Sequence, residues 1–163
     1  MRLFVAIELS DEMKKAAVQI LHTLKKNKVT GNYTPVQNLH VTLCFIGEVS
    51  DSKPIEEALS TVTFKPFKLG FTEIGNFGDL IHIGTRGGQG INNLAASIRK
   101  AFDEAGIEYD KKKFVPHITL IRKASGKIGK VEIPGADMMV KKVSVMKSDR
   151  VNGKMVYTEI FHI

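Results

Sequence analysis

The chain has 163 residues, and its 24 Lys and Arg against 17 Asp and Glu give a formal net charge of +7. With 43% hydrophobic and 25% charged residues, the composition is that of a globular protein and excludes a disordered chain. No apolar run approaches the ~18 residues of a membrane span, and the cationic surplus favours a polyanionic partner such as RNA.

The N-terminal segment predicts a first β-strand. Its apolar run ends at Glu8 and is too short for a signal peptide. The single cysteine, Cys44, cannot form an internal disulfide, as expected in a reducing compartment. We therefore expect a cytoplasmic protein without a membrane segment.

An amphipathic helix follows, with Ser10 as its N-cap and lysines at its C-terminal end. Its apolar positions are Met13, Ala16, Ala17, Ile20, Leu21 and Leu24. Next we predict a loop over 32–35, a strand over 39–46 and a short helix that opens at Ser52.

The second half predicts more strands and the clearest helix of the chain. Strands are expected over 64–71, 80–83, 139–146 and 155–161. A hairpin connection is predicted over 75–79 and a flexible loop over 84–90, which lacks the lysine and Ser/Thr of a P-loop. The helix that follows ends at Gly106. Its apolar positions are Ile91, Leu94, Ala95, Ile98, Ala101, Phe102 and Ala105.

One short motif, His-x-Thr followed by an apolar residue, occurs twice, at His40–Thr42 and at His117–Thr119. Residues two apart on a strand share a face, so each His lies beside its Thr while the intervening residues face a core. A single copy is typical of an ordinary half-buried histidine. Two copies on predicted strands favour a catalytic site.

The layout also repeats, because each motif strand follows a helix and a loop that contains proline. This arrangement predicts two related lobes with a cleft between them. No Pro-, Gly- or Ser-rich linker separates the halves, so we expect one domain over residues 1–163.

Two histidines and two threonines suit phosphodiester chemistry. Hydrolysis needs a base for the nucleophile, an acid for the leaving oxygen and donors for the phosphate oxygens. Imidazole exchanges protons near neutral pH, and the stiff threonine side chains keep their hydroxyls aimed. A zinc site is disfavoured, because one cysteine and scattered histidines offer no ligand set. The run Lys111–Lys113 is interpreted as a solvated surface, with attraction of RNA phosphates left as the alternative.

The segments 38–49 and 114–122 resemble the paired motifs of the 2H phosphoesterases, and within them the RNA 2′,3′-cyclic phosphodiesterases, also called 2′-5′ RNA ligases. The opening residues 2–7 and the late segment 148–157 extend this resemblance over essentially the whole chain. It implies an α+β fold of two pseudo-symmetric lobes, with antiparallel sheets flanking a central cleft and helices outside. It also implies hydrolysis of RNA 2′,3′-cyclic ends to 2′-phosphates without metal or other cofactor.

The resemblance assigns roles by motif. His40 would be the proton donor and His117 the proton acceptor, while Thr42 and Thr119 would hold the phosphate oxygens. The symmetry of the sequence alone leaves the acid and base interchangeable.

Three further residues are candidates for substrate binding. Arg122 stands where the family commonly has arginine, but strand parity places it opposite His117 unless a bulge turns the strand. Tyr33 and Phe45 are aromatic candidates for covering a base. His82 is interpreted as a solvent-facing or hydrogen-bonded strand histidine rather than a cleft residue.

The expected partner is RNA with a cyclic phosphate end, such as a tRNA fragment, and the default assembly is a monomer. Three alternatives stay open: 2′-5′ ligation, cleavage of 2′-5′ linked or small cyclic nucleotides, and an RNA-binding module without turnover.

Overall fold

The computed structural model describes residues 1–163 and consists of one curled, antiparallel, nine-stranded sheet with three α-helices. The strands are β1 (Arg2–Glu8), β2 (Thr30–Tyr33), β3 (His40–Glu48), β4 (Phe67–Phe77), β5 (Leu80–Arg86), β6 (His117–Ser125), β7 (Asp137–Val140), β8 (Ser144–Val151) and β9 (Lys154–His162). The helices are α1 (Asp11–Lys26), α2 (Lys53–Leu59) and α3 (Gly88–Ala105), with a 3-10 turn at Val36–Asn38. None of the helices is long and apolar enough to cross a membrane.

The sheet has two matching halves. Its strand order is β7-β4-β5-β6-β3-β1-β8-β9, with β2 paired to β6. Each half contains a strand, a long helix and a His-x-Thr strand that pairs antiparallel with the first: β1-α1-β3 in one half and β5-α3-β6 in the other. The halves join where β3 and β6 pair at Val41 and Ile118. The predicted two-lobed α+β fold is confirmed, with the two lobe sheets continuous at this junction.

The two long helices form where their patterns predict. The Ser10 hydroxyl accepts a hydrogen bond from the Met13 amide at 3.2 Å and caps α1, whose six predicted apolar positions are all buried. Helix α3 ends at Gly106, whose φ of 70° suits glycine. Of its predicted apolar positions, Ala101 is only half-buried and Ala105 is exposed. Both helices pack their apolar sides into a core that is shared by the two halves.

The predicted loop over 32–35 is partly wrong. Thr30–Tyr33 forms β2, in which Asn32 pairs with Arg122 and Tyr33 with Ile121. The two strands approach so closely that a Cβ at Gly31, where φ is 141°, would lie 2.7 Å from Ile121. This short polar segment has no strand pattern of its own, so its structure is determined by its partner β6.

Other strand limits differ from the prediction. The strand predicted over 64–71 is β4, and the hairpin turn is confined to Gly78 and Asp79. The predicted loop over 84–90 is mostly regular structure, because β5 runs to Arg86 and α3 begins at Gly88. The segment 139–146 is divided between β7 and β8, which belong to different halves of the sheet.

Candidate active site

The two His-x-Thr strands place their polar side chains on one side of the sheet. On both strands the His and Thr are half-buried, while Val41 and Ile118 between them are fully buried. A cleft of about 810 Å³ opens on the polar face, and His40, Thr42 and Thr119 line it. His117 shares the face of Thr119, two residues earlier on β6, but its side chain is not among those that line the cleft.

Each histidine is oriented by the carbonyl oxygen two residues before it. The Nδ1–H of His40 donates to Asn38 O at 2.7 Å, and that of His117 to Val115 O at 2.7 Å. Because a carbonyl oxygen only accepts, Nδ1 carries a proton in both rings. In this tautomer Nε2 is the ring nitrogen without a proton, and Nε2 of His40 lies 2.8 Å from the Thr42 hydroxyl, which can donate to it.

Asn38 connects His40 to the far side of the cleft. Its side chain is buried, and its Nδ2 donates to the carbonyl oxygen of Met155 on β9 at 2.9 Å. The same residue thus orients the His40 ring through its backbone and fixes the strand beside it through its amide. Sequence reasoning missed Asn38, since the only signal was a polar residue two positions before the motif histidine.

The surroundings of His40 favour its neutral form. Burial lowers the pKa of His40, and the positive charges of Arg122 and His117 lower it further, against the opposing effect of the Asn38 carbonyl. The rings of Phe4 and Tyr157 lie 5.0 and 5.4 Å from the imidazole. An anion bound in the cleft would offset these effects by favouring the imidazolium.

Arg122 lines the cleft, contrary to the face that strand parity gives it. On β5 the neighbours His82 and Ile81 pair with Thr119 and Ile121 of β6. Leu120, which lies between those two, has no partner and forms a bulge. Leu120 and Ile121 are consequently both buried, and Arg122 turns back to the side of the threonines.

Tyr33 and Phe45 also line the cleft. The Tyr33 hydroxyl donates to Val29 O at 2.6 Å, which fixes the ring. The guanidinium of Arg2 lies 4.8 Å from the centre of the Phe45 ring. Both aromatic side chains therefore border the space in which a substrate would sit.

His117 packs against two rings of the β4–β5 hairpin. Phe77 and His82 stack with centroids 4.1 Å apart, and their rings lie 5.2 and 5.4 Å from that of His117. The expected environment of His82 is wrong, because the side chain is half-buried and its Nδ1 is buried without a hydrogen-bond partner. Burial and the nearby charge of His117 lower the pKa of His82.

The other sequence candidates lie outside the cleft lining. Neither the segment 84–90 nor Lys111–Lys113 contributes to it. Burial raises the pKa of the Cys44 thiol to about 12, which keeps it protonated and unsuited to act as a nucleophile.

The wall formed by β1 and the β8–β9 hairpin was not identified from sequence. Its cleft-lining residues are Arg2, Phe4, Ser148, Arg150, Gly153, Lys154, Met155 and Tyr157. They lie on one face because cross-strand pairing sets Arg2 beside Ser148 and Ser148 beside Tyr157.

Sequence comparison matches residues 9–152 to the family model of the 2′-5′ RNA ligase superfamily. A protein of Archaeoglobus fulgidus named RNA 2′,3′-cyclic phosphodiesterase is 36% identical over 129 residues, which cover 75% of this chain and 72% of that protein. The Escherichia coli protein of the same name is 35% identical over 133 residues, covering 76% and 73%.

Solved structures give the same relationship. E. coli LigT complexed with 3′-AMP superposes with a TM-score of 0.82 at 28% identity, covering 99% of this chain and 96% of that one. The protein TT0787 of Thermus thermophilus gives a TM-score of 0.83 at 26% identity with the same coverage. The family model spans most of the chain, the relatives exceed 30% identity, and the fold agrees throughout: this chain belongs to the 2′-5′ RNA ligase superfamily.

Proposed function

We propose that the cleft hydrolyses RNA 2′,3′-cyclic phosphate ends to 2′-phosphomonoesters by two-histidine acid/base catalysis that needs no metal. The observation that carries the proposal is the pairing of the two His-x-Thr strands, each with a histidine whose Nδ1 is held by a backbone carbonyl. The names of the A. fulgidus and E. coli relatives support the substrate class.

The proposed reaction is an in-line displacement at phosphorus. Thr42 and Thr119 donate hydrogen bonds to the non-bridging oxygens, and Arg122 offsets their negative charge. Nε2 of His117 takes a proton from water as the water oxygen bonds to phosphorus. The bond from phosphorus to O3′ breaks, and Nε2–H of His40 donates its proton to that oxygen. The 2′-phosphate leaves, and solvent exchange returns both histidines to their starting states.

The assignment of His40 as acid rests on the family resemblance and requires its protonated form. Burial and nearby cations disfavour that form in the free protein. The phosphodiester anion lies between the two histidines in this proposal, and its charge favours the imidazolium. We therefore infer that substrate binding itself prepares His40 to act.

A second candidate uses the same groups on a 2′-5′ linkage, in which a ribose 5′ oxygen takes the place of water or of the leaving oxygen. The name of the superfamily supports this candidate, and so does the size of the cleft, about 810 Å³. Because any catalyst accelerates both directions, substrate supply decides between ligation and cleavage.

The deciding experiment measures hydrolysis of a short RNA with a 2′,3′-cyclic end in excess EDTA. We expect turnover to a 2′-phosphate, and a loss of at least about 10²-fold in kcat for His40→Ala and for His117→Ala, the usual contribution of an acid or base. The matched control is His22→Ala on the exposed side of α1, which should retain parent activity.

Other outcomes separate the alternatives. Binding of the RNA without turnover would indicate an RNA-binding module. Turnover of a 2′-5′ dinucleotide alone would favour the second candidate, and loss of activity in EDTA would contradict the metal-free mechanism.

We also propose that residues 1–163 act as one domain, as a monomer and in the cytoplasm. The apolar core that both halves share supports the single domain, and the single, buried cysteine agrees with a reducing compartment. Light scattering coupled to gel filtration tests the monomer, with a mass of about twice 18.0 kDa as the contradicting result.

A further inference from the structure

The cleft extends well beyond His40 and the two motif threonines. Its lining comes from β2 and the segment that follows it, and from β6, β3, β1, β8 and β9, which are five successive neighbours in the sheet. Neighbouring strands lie about 4.8 Å apart, so the floor measures about 19 Å along the curled sheet from β6 to β9. His40, Thr42 and Thr119 occupy the β6–β3 side. A phosphate bound there leaves the β8–β9 side free for the rest of a longer ligand.

That free side is basic and lacks counter-charge. Arg2, Arg150 and Lys154 line it, and none of the three forms an ion pair. No aspartate or glutamate lines any part of the cleft. The nearest acid on β8, Asp149, pairs with Lys147 at 3.6 Å, and strand alternation places that pair on the opposite face. The positive potential of the cleft is therefore left for a ligand to neutralise.

The register of the sheet holds the two arginines beside groups that suit nucleosides, while Lys154 pairs with Val151 at the turn end of the hairpin. Arg2 pairs across the strands with Ser148, and Arg150 with Met155. The Arg150 guanidinium also donates to Gly153 O at 3.2 Å in the turn of the hairpin. Guanidinium and ammonium groups bind phosphate oxygens, while hydroxyl, thioether and aromatic groups contact sugars and bases.

We propose that Arg2, Arg150 and Lys154 form a basic track that binds the internal phosphates of the RNA strand 5′ to the cyclic end. The inference rests on the proposed function, because it takes the reacting phosphate to lie at the two histidines. The preferred substrate is then an oligonucleotide. A cyclic mononucleotide has a single phosphate, which the histidines already hold, so it gains nothing from the track.

The test compares 2′,3′-cyclic AMP with a tetranucleotide that ends in a 2′,3′-cyclic phosphate. The parent protein should have at least a tenfold higher kcat/KM on the tetranucleotide at low salt. In the double variant Arg150→Gln/Lys154→Gln this preference should fall at least tenfold. The slope of log kcat/KM against log salt on the tetranucleotide should become shallower by about 1.4, since each single-strand phosphate contact contributes about 0.7.

The control is Lys53→Gln/Lys100→Gln, which removes the same charge from exposed positions on α2 and α3. It should keep the parent preference. An equal kcat/KM for both substrates in the parent would overturn the track. The proposal would also be overturned if Arg150→Gln/Lys154→Gln, the hairpin variant, kept the preference and Lys111→Gln/Lys112→Gln/Lys113→Gln lost it.

A binding measurement keeps this test separate from that of the proposed function. Fluorescence anisotropy of a labelled tetranucleotide with a 2′-phosphate end needs no turnover, and its Kd should rise at least tenfold in the hairpin variant relative to the Lys53/Lys100 control. If the parent hydrolyses neither cyclic substrate, the proposed function fails. Even then, equal Kd values for the hairpin variant and the Lys53/Lys100 control would overturn the proposed basic track.

Discussion

The two motif histidines are held at Nδ1 by the carbonyl oxygens of Asn38 and Val115, both at 2.7 Å. These short bonds fix the tautomer and the ring plane, so Nε2 is the ring nitrogen that the proposed mechanism uses. The rings differ in their neighbours, however. His40 is packed by Phe4 and Tyr157, and His117 by Phe77 and His82. This difference in packing breaks the symmetry that the two motifs have in the sequence.

The protonation of His40 gives a direct test of the proposed acid. Because burial and the charges of Arg122 and His117 lower its pKa, NMR titration of the free protein should place that pKa below 6.5. Addition of 2′-AMP should raise the pKa, since the phosphate charge favours the imidazolium. A pKa that does not move on adding 2′-AMP would contradict the placement of the phosphate beside His40.

Asn38 should act as a positioning residue. Asn38→Ala removes the part-buried hydrogen bond to Met155 O, which we expect to cost about 0.5–1.5 kcal/mol in the free energy of unfolding, the usual net contribution of one hydrogen bond. It should lower kcat about tenfold with a smaller change in KM, measured with the cyclic mononucleotide beside urea denaturation. An unchanged kcat together with the stability loss would make the role of Asn38 structural only.

At the scale of elements, the bulge at Leu120 brings Arg122 to the cleft. Regular alternation along β6 would place Arg122 on the face opposite the threonines, and the extra residue reverses that. Strand β2 supports this conformation, because Asn32 pairs with Arg122 and Gly31 allows close contact with Ile121. A segment without a strand pattern of its own thus helps to position a charged side chain of the site.

Arg122→Gln tests this arrangement. Removal of the positive charge should raise the pKa of His40 and weaken binding of 2′-AMP about tenfold, as expected for a charge-assisted contact of ~1.4 kcal/mol. Titration by NMR and calorimetry measure the two effects. Arg122→Lys keeps the charge and should leave the pKa of His40 near its parent value. If Arg122→Gln alters neither quantity, Arg122 does not act on the reacting phosphate.

At the scale of the whole molecule, the site exists only where the two halves meet. The pairing of Val41 with Ile118 is the single registered contact between β3 and β6, and both side chains are fully buried in the shared core. The distance between the motif side chains of β3 and those of β6 therefore depends on how the two halves pack, and not only on the structure of each strand.

Ile118→Ala should reveal this dependence. Truncation of a fully buried isoleucine costs about 2–5 kcal/mol in the free energy of unfolding, whereas Ile118→Val costs about 0.5–1.5 kcal/mol. Urea denaturation measures both. We expect the alanine variant to lose activity on the cyclic mononucleotide even where it is fully folded. Full activity in that variant would show that packing at the junction does not set the geometry of the site.

The sequence by itself determined the elements that carry their own pattern. Helices α1 and α3 have apolar positions at helical spacing and end signals, and the shared face of the His and Thr within each motif follows from alternation. The repeated motif also predicted the two related lobes. These features are local, because periodicity, capping and strand parity act within a few residues.

The tertiary structure decided what depends on a distant partner. Strand β2 forms only against β6, the segment 139–146 divides between two halves of the sheet, and the bulge that turns Arg122 arises from pairing with β5. The contacts of Asn38, Phe77 and the basic track likewise join residues far apart in the chain. The sequence could specify two histidines in matching motifs, but only long-range pairing and packing bring their strands side by side and give each ring its own surroundings.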